Sequence, residues 1–170
     1  MTNPVGRMAE GVKKAMEAEV DGFHFYMMAA RSTSDAQGRQ VFEQLAQEEM
    51  EHARFLKAQY AALIDTGMPD PSVKLATQQT LSGDNPIFSA DLKGRLSDAH
   101  YEMSALSIGI QLELSAVQFY SAEAEAATDP TVRAFFLELA QWERGHHEAL
   151  NRQLQGLKED YWSGGGFSPF

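Results

Sequence analysis

The chain has 170 residues and no cysteine, with 24 acidic against 14 basic side chains and a formal net charge of -10. A chain of this length suits one domain with a real hydrophobic core. Disulfides, thiolate metal sites and a built-in iron–sulfur or rubredoxin-type centre are excluded. The acidic balance argues against sequence-independent nucleic-acid binding, which needs a basic face to displace phosphate counterions. No apolar run approaches the ~20 residues that cross a membrane. Nothing at the N-terminus reads as a signal peptide, so a cytoplasmic location is expected.

In chain order the apolar pattern predicts four long helices. The first starts near Asn3-Pro4, a capping residue followed by proline at the first helical position, and runs to about Arg31. Ser32 to Asp35 make a short turn, and Asp35 is placed to cap the second helix, which continues to about Asp65 and stops at Gly67. Residues 68–96 are rich in Pro, Ser, Asp and Gly and read as a long linker, with a helical turn expected around 73–80 and Pro86-Ile87-Phe88 and Leu92 able to dock on the bundle. The third helix is expected from Ser97-Asp98 through Ala126. Asp129-Pro130 then opens the fourth, which runs to about Tyr161 before the glycines at 164–166. The expected fold is all-α, a ferritin-like four-helix bundle built from two hairpins joined by a long crossover. Residues 1–162 form its single domain and 163–170 a tail.

One pattern is written twice on these helices. Glu19, Tyr26 and the tetrad Glu49-Met50-Glu51-His52 recur as Glu113, Tyr120 and Glu143-Arg144-Gly145-His146, each 94 residues after its counterpart. Phe25, Asp35 and Phe42 repeat as Phe119, Asp129 and Phe136 at the same offset, and Leu45-Ala46-Gln47 as Leu139-Ala140-Gln141. This register suggests two hairpins related by a pseudo-twofold axis. Residues three apart on a helix reach one point, so Glu49 with His52, and Glu143 with His146, present two donors each. The acids interrupt the apolar seams Phe42, Leu45, Ala46, Ala53, Leu56 and Val132, Phe136, Leu139, Leu150, so they face inward. Buried carboxylates cost several kcal/mol unless paired or bound to a cation. Few inward Lys or Arg are available, whereas two divalent ions carry +4 against four carboxylates at −4. Four glutamates and two imidazoles on facing helices are a ligand set for two metal ions. Pairing of these acids with Arg or Lys across a polar bundle is the bland alternative, and it leaves the matched histidines without a reason.

Other residues carry weaker signals. His24 and His100 lack partners at ligand spacing and read as surface residues, and Glu123, Glu125 and Glu138 as solvated. Gln47 and Gln141 are evenly poised between helix surface and support of the ligands. Met27, Met28 and Trp142 read as packing. His147 neighbours His146, but the spacing from Glu143 favours His146.

These residues resemble the ferritin-like diiron carboxylate proteins, the rubrerythrin type in particular, over roughly residues 8–60 and 100–158. The resemblance implies Glu19 and Glu113 as terminal ligands, Glu49 and Glu143 as bridges, and His52 and His146 as ligands of one ion each. It implies that Tyr26 and Tyr120 hydrogen-bond ligand carboxylates. The set is similar also to the ferroxidase centre of bacterioferritin-type proteins, although no fifth helix of the cage-forming kind follows. Rubrerythrins usually add a glutamate one turn after the acid of the third long helix, where this chain reads Leu114-Ser115-Ala116-Val117. The expected function is oxidation of Fe(II) with reduction of O2 or H2O2 at two iron ions, electrons coming from a separate donor protein or from Fe(II) itself. Manganese suits the same ligands, and zinc would suit them in isolated protein. The alternatives are a non-catalytic iron-binding or buffering protein and a structural bundle holding a fixed ion. A homodimer is expected, since Phe55, Phe135 and Leu137 fall to the side of the ligand seams, with packing of the linker or of Phe167 and Phe170 over them as the rival.

Overall fold

A computed structural model describes residues 4–75, 86–94 and 99–164. Five helices lie among them: α1 (Pro4–Ser32), α2 (Ala36–Thr66), a single turn α3 (Ala90–Lys93), α4 (His100–Ala126) and α5 (Pro130–Gly164). The four long ones form the all-α bundle. α1 packs along α2 and α4 along α5 as hairpins, and α1 also lies against α4. No strand occurs among the described residues.

Local chemistry sets the helix ends. Asp35 stands at the N-cap of α2 and its Oδ2 accepts the Gly38 N–H at 2.8 Å, satisfying one of the first-turn amides that have no partner inside the helix. Asp129 does the same for α5, accepting from Thr131 N at 2.7 Å. α2 ends where Gly67 turns left-handed at φ 79° and returns its N–H to Leu63 O, a conformation only glycine adopts without strain. α4 begins at Ala99 without a side-chain cap. In its first turn, however, Glu102 is buried and accepts the Thr33 hydroxyl at 2.7 Å, tying α4 to the α1–α2 turn.

The expected docking of the crossover is present. Ile87, Phe88 and Leu92 are buried in the core beside Phe42 and Leu106. Phe88 lies over Gly38, where a Cβ would meet its ring at 2.5 Å. Ser89 hydrogen-bonds through both its N–H and its hydroxyl to the Asp35 carboxylate, so the residue that caps α2 also anchors the crossover.

Several expectations change. Residues 73–75 are not helical, and 76–80, the rest of that expected turn, lie outside the described residues, as do Asn3, Ser97-Asp98, Phe167 and Phe170. Among the described residues of the crossover the helix is Ala90–Lys93, and α5 continues to Gly164, past the expected end at Tyr161. Met28 is exposed, not packed. Phe55 and Phe135 are not left on the outside: their rings stack on each other at 5.6 Å between α2 and α5, both buried, and only Leu137 stays in solvent.

The core divides in two. One cluster holds Tyr26, Phe42, Leu45, Ile87, Leu106 and Leu150; the other holds Val12, Phe55, Leu56, Tyr120, Phe136 and Leu139. In each long helix the predicted donors fall between its contributions to the two. A polar belt therefore crosses the bundle at mid-height, sealed by apolar packing above and below.

Candidate metal centre

Each long helix delivers its part of the belt. α1 brings Glu19, α2 Glu49 and His52, α4 Glu113, and α5 Glu143 and His146. All six are buried, none more than 5% exposed. Two groups have donor atoms within 4.8 Å of one another: Glu19, Glu49 and His52, and Glu49, Glu113, Glu143 and His146. Glu49 belongs to both. Glu143 also reaches both sides, with Oε1 at 3.0 Å from His52 Nδ1 and Oε2 at 3.5 Å from His146 Nδ1. The His52 and His146 rings lie nearly parallel, 5.9 Å apart.

The tyrosines cross between hairpins. Tyr26 of α1 donates its hydroxyl proton to Glu113 of α4, and Tyr120 of α4 donates to Glu19 of α1. Each ring stacks on the matching phenylalanine, Tyr26 on Phe42 and Tyr120 on Phe136, both with centroids 6.4 Å apart. The 94-residue repeat is thus a repeat of geometry. Glycine leaves room where backbones come closest: a Cβ on Gly22 would stand 3.1 Å from Glu49 Oε2, and one on Gly109 would stand 3.2 Å from the Tyr26 hydroxyl.

Crowded acids shift one another. Burial and the charges of Glu113, Glu143 and Glu19 push Glu49 well above the usual carboxylate range. Burial carries Glu113 up to about 7 even though His146 pulls it back. Burial opposes the charge on His52, yet the Glu143 and Glu19 carboxylates override it and raise the imidazole to about 10. Glu143 behaves oppositely: burial would raise it, but the two imidazoles hold it well below the carboxylate range. Without cations, protons must balance this site.

Even so, hydrogen bonds do not satisfy it. Glu49 Oε1, both Glu143 oxygens and His146 Nδ1 are buried with no hydrogen-bond partner among the described residues. Such atoms cost about 1–3 kcal/mol each when left unmet, more when charged. They are the same atoms that converge within ligand reach of one another, and hard carboxylates with imidazoles are the donors that suit Fe, Mn or Zn. The residues fit bound metal.

The fold and the donor set agree with a family comparison. The family described as Rubrerythrin matches residues 10–78 and 104–163. The chain belongs to the rubrerythrin family. No curated protein and no solved structure gives a match. As a rubrerythrin-family bundle, the chain carries the match over all four long helices, while α3 lies outside the matched segments.

Some residues stay out of the centre. His24, His100, Gln47 and Gln141 are exposed, and His147 is half-buried and belongs to neither donor group. Glu48 was missed by sequence reasoning. Its Oε2 lies 2.7 Å from His146 Nε2, and its Oε1 accepts from Gln44 at 3.0 Å. The available signal was two successive acids, Glu48-Glu49, ahead of the histidine. Trp142, read as packing, stands edge-on to His52 with centroids 5.2 Å apart.

Proposed function

We propose that this chain is a dinuclear-iron oxidoreductase that oxidises Fe(II) and passes the electrons to O2 or H2O2. The observation that carries the reading is the convergence of buried carboxylates and imidazoles from all four helices, with atoms of Glu49, Glu143 and His146 among them that have no hydrogen-bond partner among the described residues. Glu19 and His52 would hold one ion and Glu113 and His146 the other, with Glu49 and Glu143 shared between them. Iron bound there would supply one electron per Fe(II), so that two such ions would balance the reduction of H2O2 with two protons to two waters.

The protein's own part is placement. The four ligand carboxylates would balance the +4 of two divalent ions, leaving Glu48 beside His146 as the remaining buried acid of the belt. Tyr26 and Tyr120 fix the terminal carboxylates from the opposite hairpin, each removing one free rotation and one lone pair from competition. The apolar clusters on either side keep bulk water from the belt. In this proposal electrons come from Fe(II) itself or from a separate donor protein; these 170 residues hold no cysteine for an iron–sulfur or rubredoxin-type centre.

The test is anaerobic loading with Fe(II) followed by mixing with O2 or H2O2. The reading expects rapid iron oxidation, with peroxide consumed only by loaded protein. Equal consumption by apo and loaded protein would defeat it, and retention of Fe(II) without oxidation would support an iron-buffering protein instead. Homodimerisation is part of the same proposal. Leu137, Ile108 and Leu112 present large apolar side chains on the surface. Light scattering that gives a monomer across micromolar concentrations would remove the dimer. The cytoplasm is the proposed compartment; no described helix is long and apolar enough to cross a membrane.

A further inference from the structure

The two halves of the belt agree at every donor but differ beside the histidines. At the 94-residue offset, Glu48 corresponds to Trp142. Glu48 is 6% exposed, fixed by Gln44, and accepts a hydrogen bond from His146 Nε2 at 2.7 Å. In the neutral ring that bond keeps the proton on Nε2 and leaves Nδ1, which faces Glu49, Glu113 and Glu143, with its lone pair free to ligate. His52 faces its carboxylates through Nδ1 in the same way, but its Nε2 is buried with no hydrogen-bond partner among the described residues, and the Trp142 ring lies against it.

We propose that Glu48 makes the two metal positions unequal, the position at His146 binding its ion more tightly than the position at His52. A carboxylate on the far nitrogen of a ligating imidazole fixes its tautomer and orientation and raises its basicity; losing such a partner typically costs about 10–100-fold in metal affinity. His52 lacks that support on Nε2, so beyond the Nδ1 contacts with Glu19 and Glu143 its ring is held by packing against Trp142. With Glu49 and Glu143 shared, each position draws on three carboxylates and one imidazole, and the surroundings of the imidazoles are the difference proposed to set the order of filling. Glu48 is in this reading a positioning residue: it contacts a ligand, not the ion.

The inference rests on the dinuclear reading above, and Co(II) separates the two. Calorimetric titration under anaerobic conditions should show two ions per wild-type chain with distinct constants; absence of Co(II) binding would overturn the dinuclear reading and the inference with it. Glu48→Gln keeps the side chain's shape but removes its charge. It should weaken the tighter constant about 10–100-fold and leave the weaker within about threefold. His52→Ala should retain one tightly held Co(II), whereas His146→Ala should retain only a weak one. Two bound ions whose constants fall alike, or not at all, in Glu48→Gln would overturn the inequality while sparing the dinuclear reading. So would equal retention, including none, in the two histidine variants. Circular dichroism checks that each variant folds, and if Glu48→Gln does not, the histidine pair decides.

Discussion

His52 and His146 sit among four carboxylates with their rings 5.9 Å apart, and each must give up a proton before it can ligate. The pH dependence follows from that competition. In metal-free protein, Glu113 is raised to about 7 and His52 to about 10, so the folded state holds more protons than the unfolded chain between roughly pH 4.3 and 7 for the first and roughly pH 6.5 and 10 for the second. Both contributions are fully present below the unfolded values and are lost as pH rises. Glu143, held low, works the other way and loses its contribution as pH falls below the carboxylate range. Melting of chelator-treated protein should therefore move to lower temperature from about pH 5 to pH 9. The gain in melting temperature on adding Mn(II) should grow over the same range, because binding displaces those protons. The tyrosines offer a second test. Tyr26→Phe or Tyr120→Phe removes one hydrogen bond from a terminal carboxylate, and should keep two ions per chain while slowing Fe(II) oxidation about tenfold, as followed by stopped-flow absorbance. The inward facing of both tyrosines, the four glutamates and the two histidines was legible in the sequence because helical spacing converts directly into facing. Glu48 was not: whether it or Glu51 turns inward beside Glu49 depends on where α5 packs, and a single helix does not encode that.

Along the elements, the long helices were legible almost to the residue where caps are local. Asp35, Gly67 and Asp129 act within a few residues of their own positions. The crossover was read in part: the docking of Ile87, Phe88 and Leu92 follows from their apolar character, but a four-residue helix has no periodicity to place it. The stacking of Phe55 on Phe135 failed for a related reason, because a helical wheel shows the side of one helix but not the neighbour that covers it. Gly22 gives an element-scale prediction with opposing signs. Alanine inside a helix is favoured over glycine by about 1 kcal/mol, yet this Cβ would press on Glu49 Oε2. Gly22→Ala should melt at or above the wild-type temperature when metal-free but bind Co(II) more weakly, a split that calorimetry and thermal melts read separately.

For the molecule as a whole, Glu49 and Glu143 couple the two hairpins, each touching donors of both halves. Replacing either with alanine should remove both ions, not one, and elemental analysis showing two retained ions would end the bridging assignment. The crossed hydrogen bonds of Tyr26 and Tyr120 carry a further consequence. Neither hairpin completes its own ligands: each borrows a hydroxyl from the other, along with half of the donors. A chain severed between Leu75 and Pro86 would yield two complementary fragments, neither able to hold an ion with its full set of donors. Mixed together, they should reassociate far more tightly with Mn(II) than with chelator, as sedimentation would show, so that the ions serve as the fastener of a split protein.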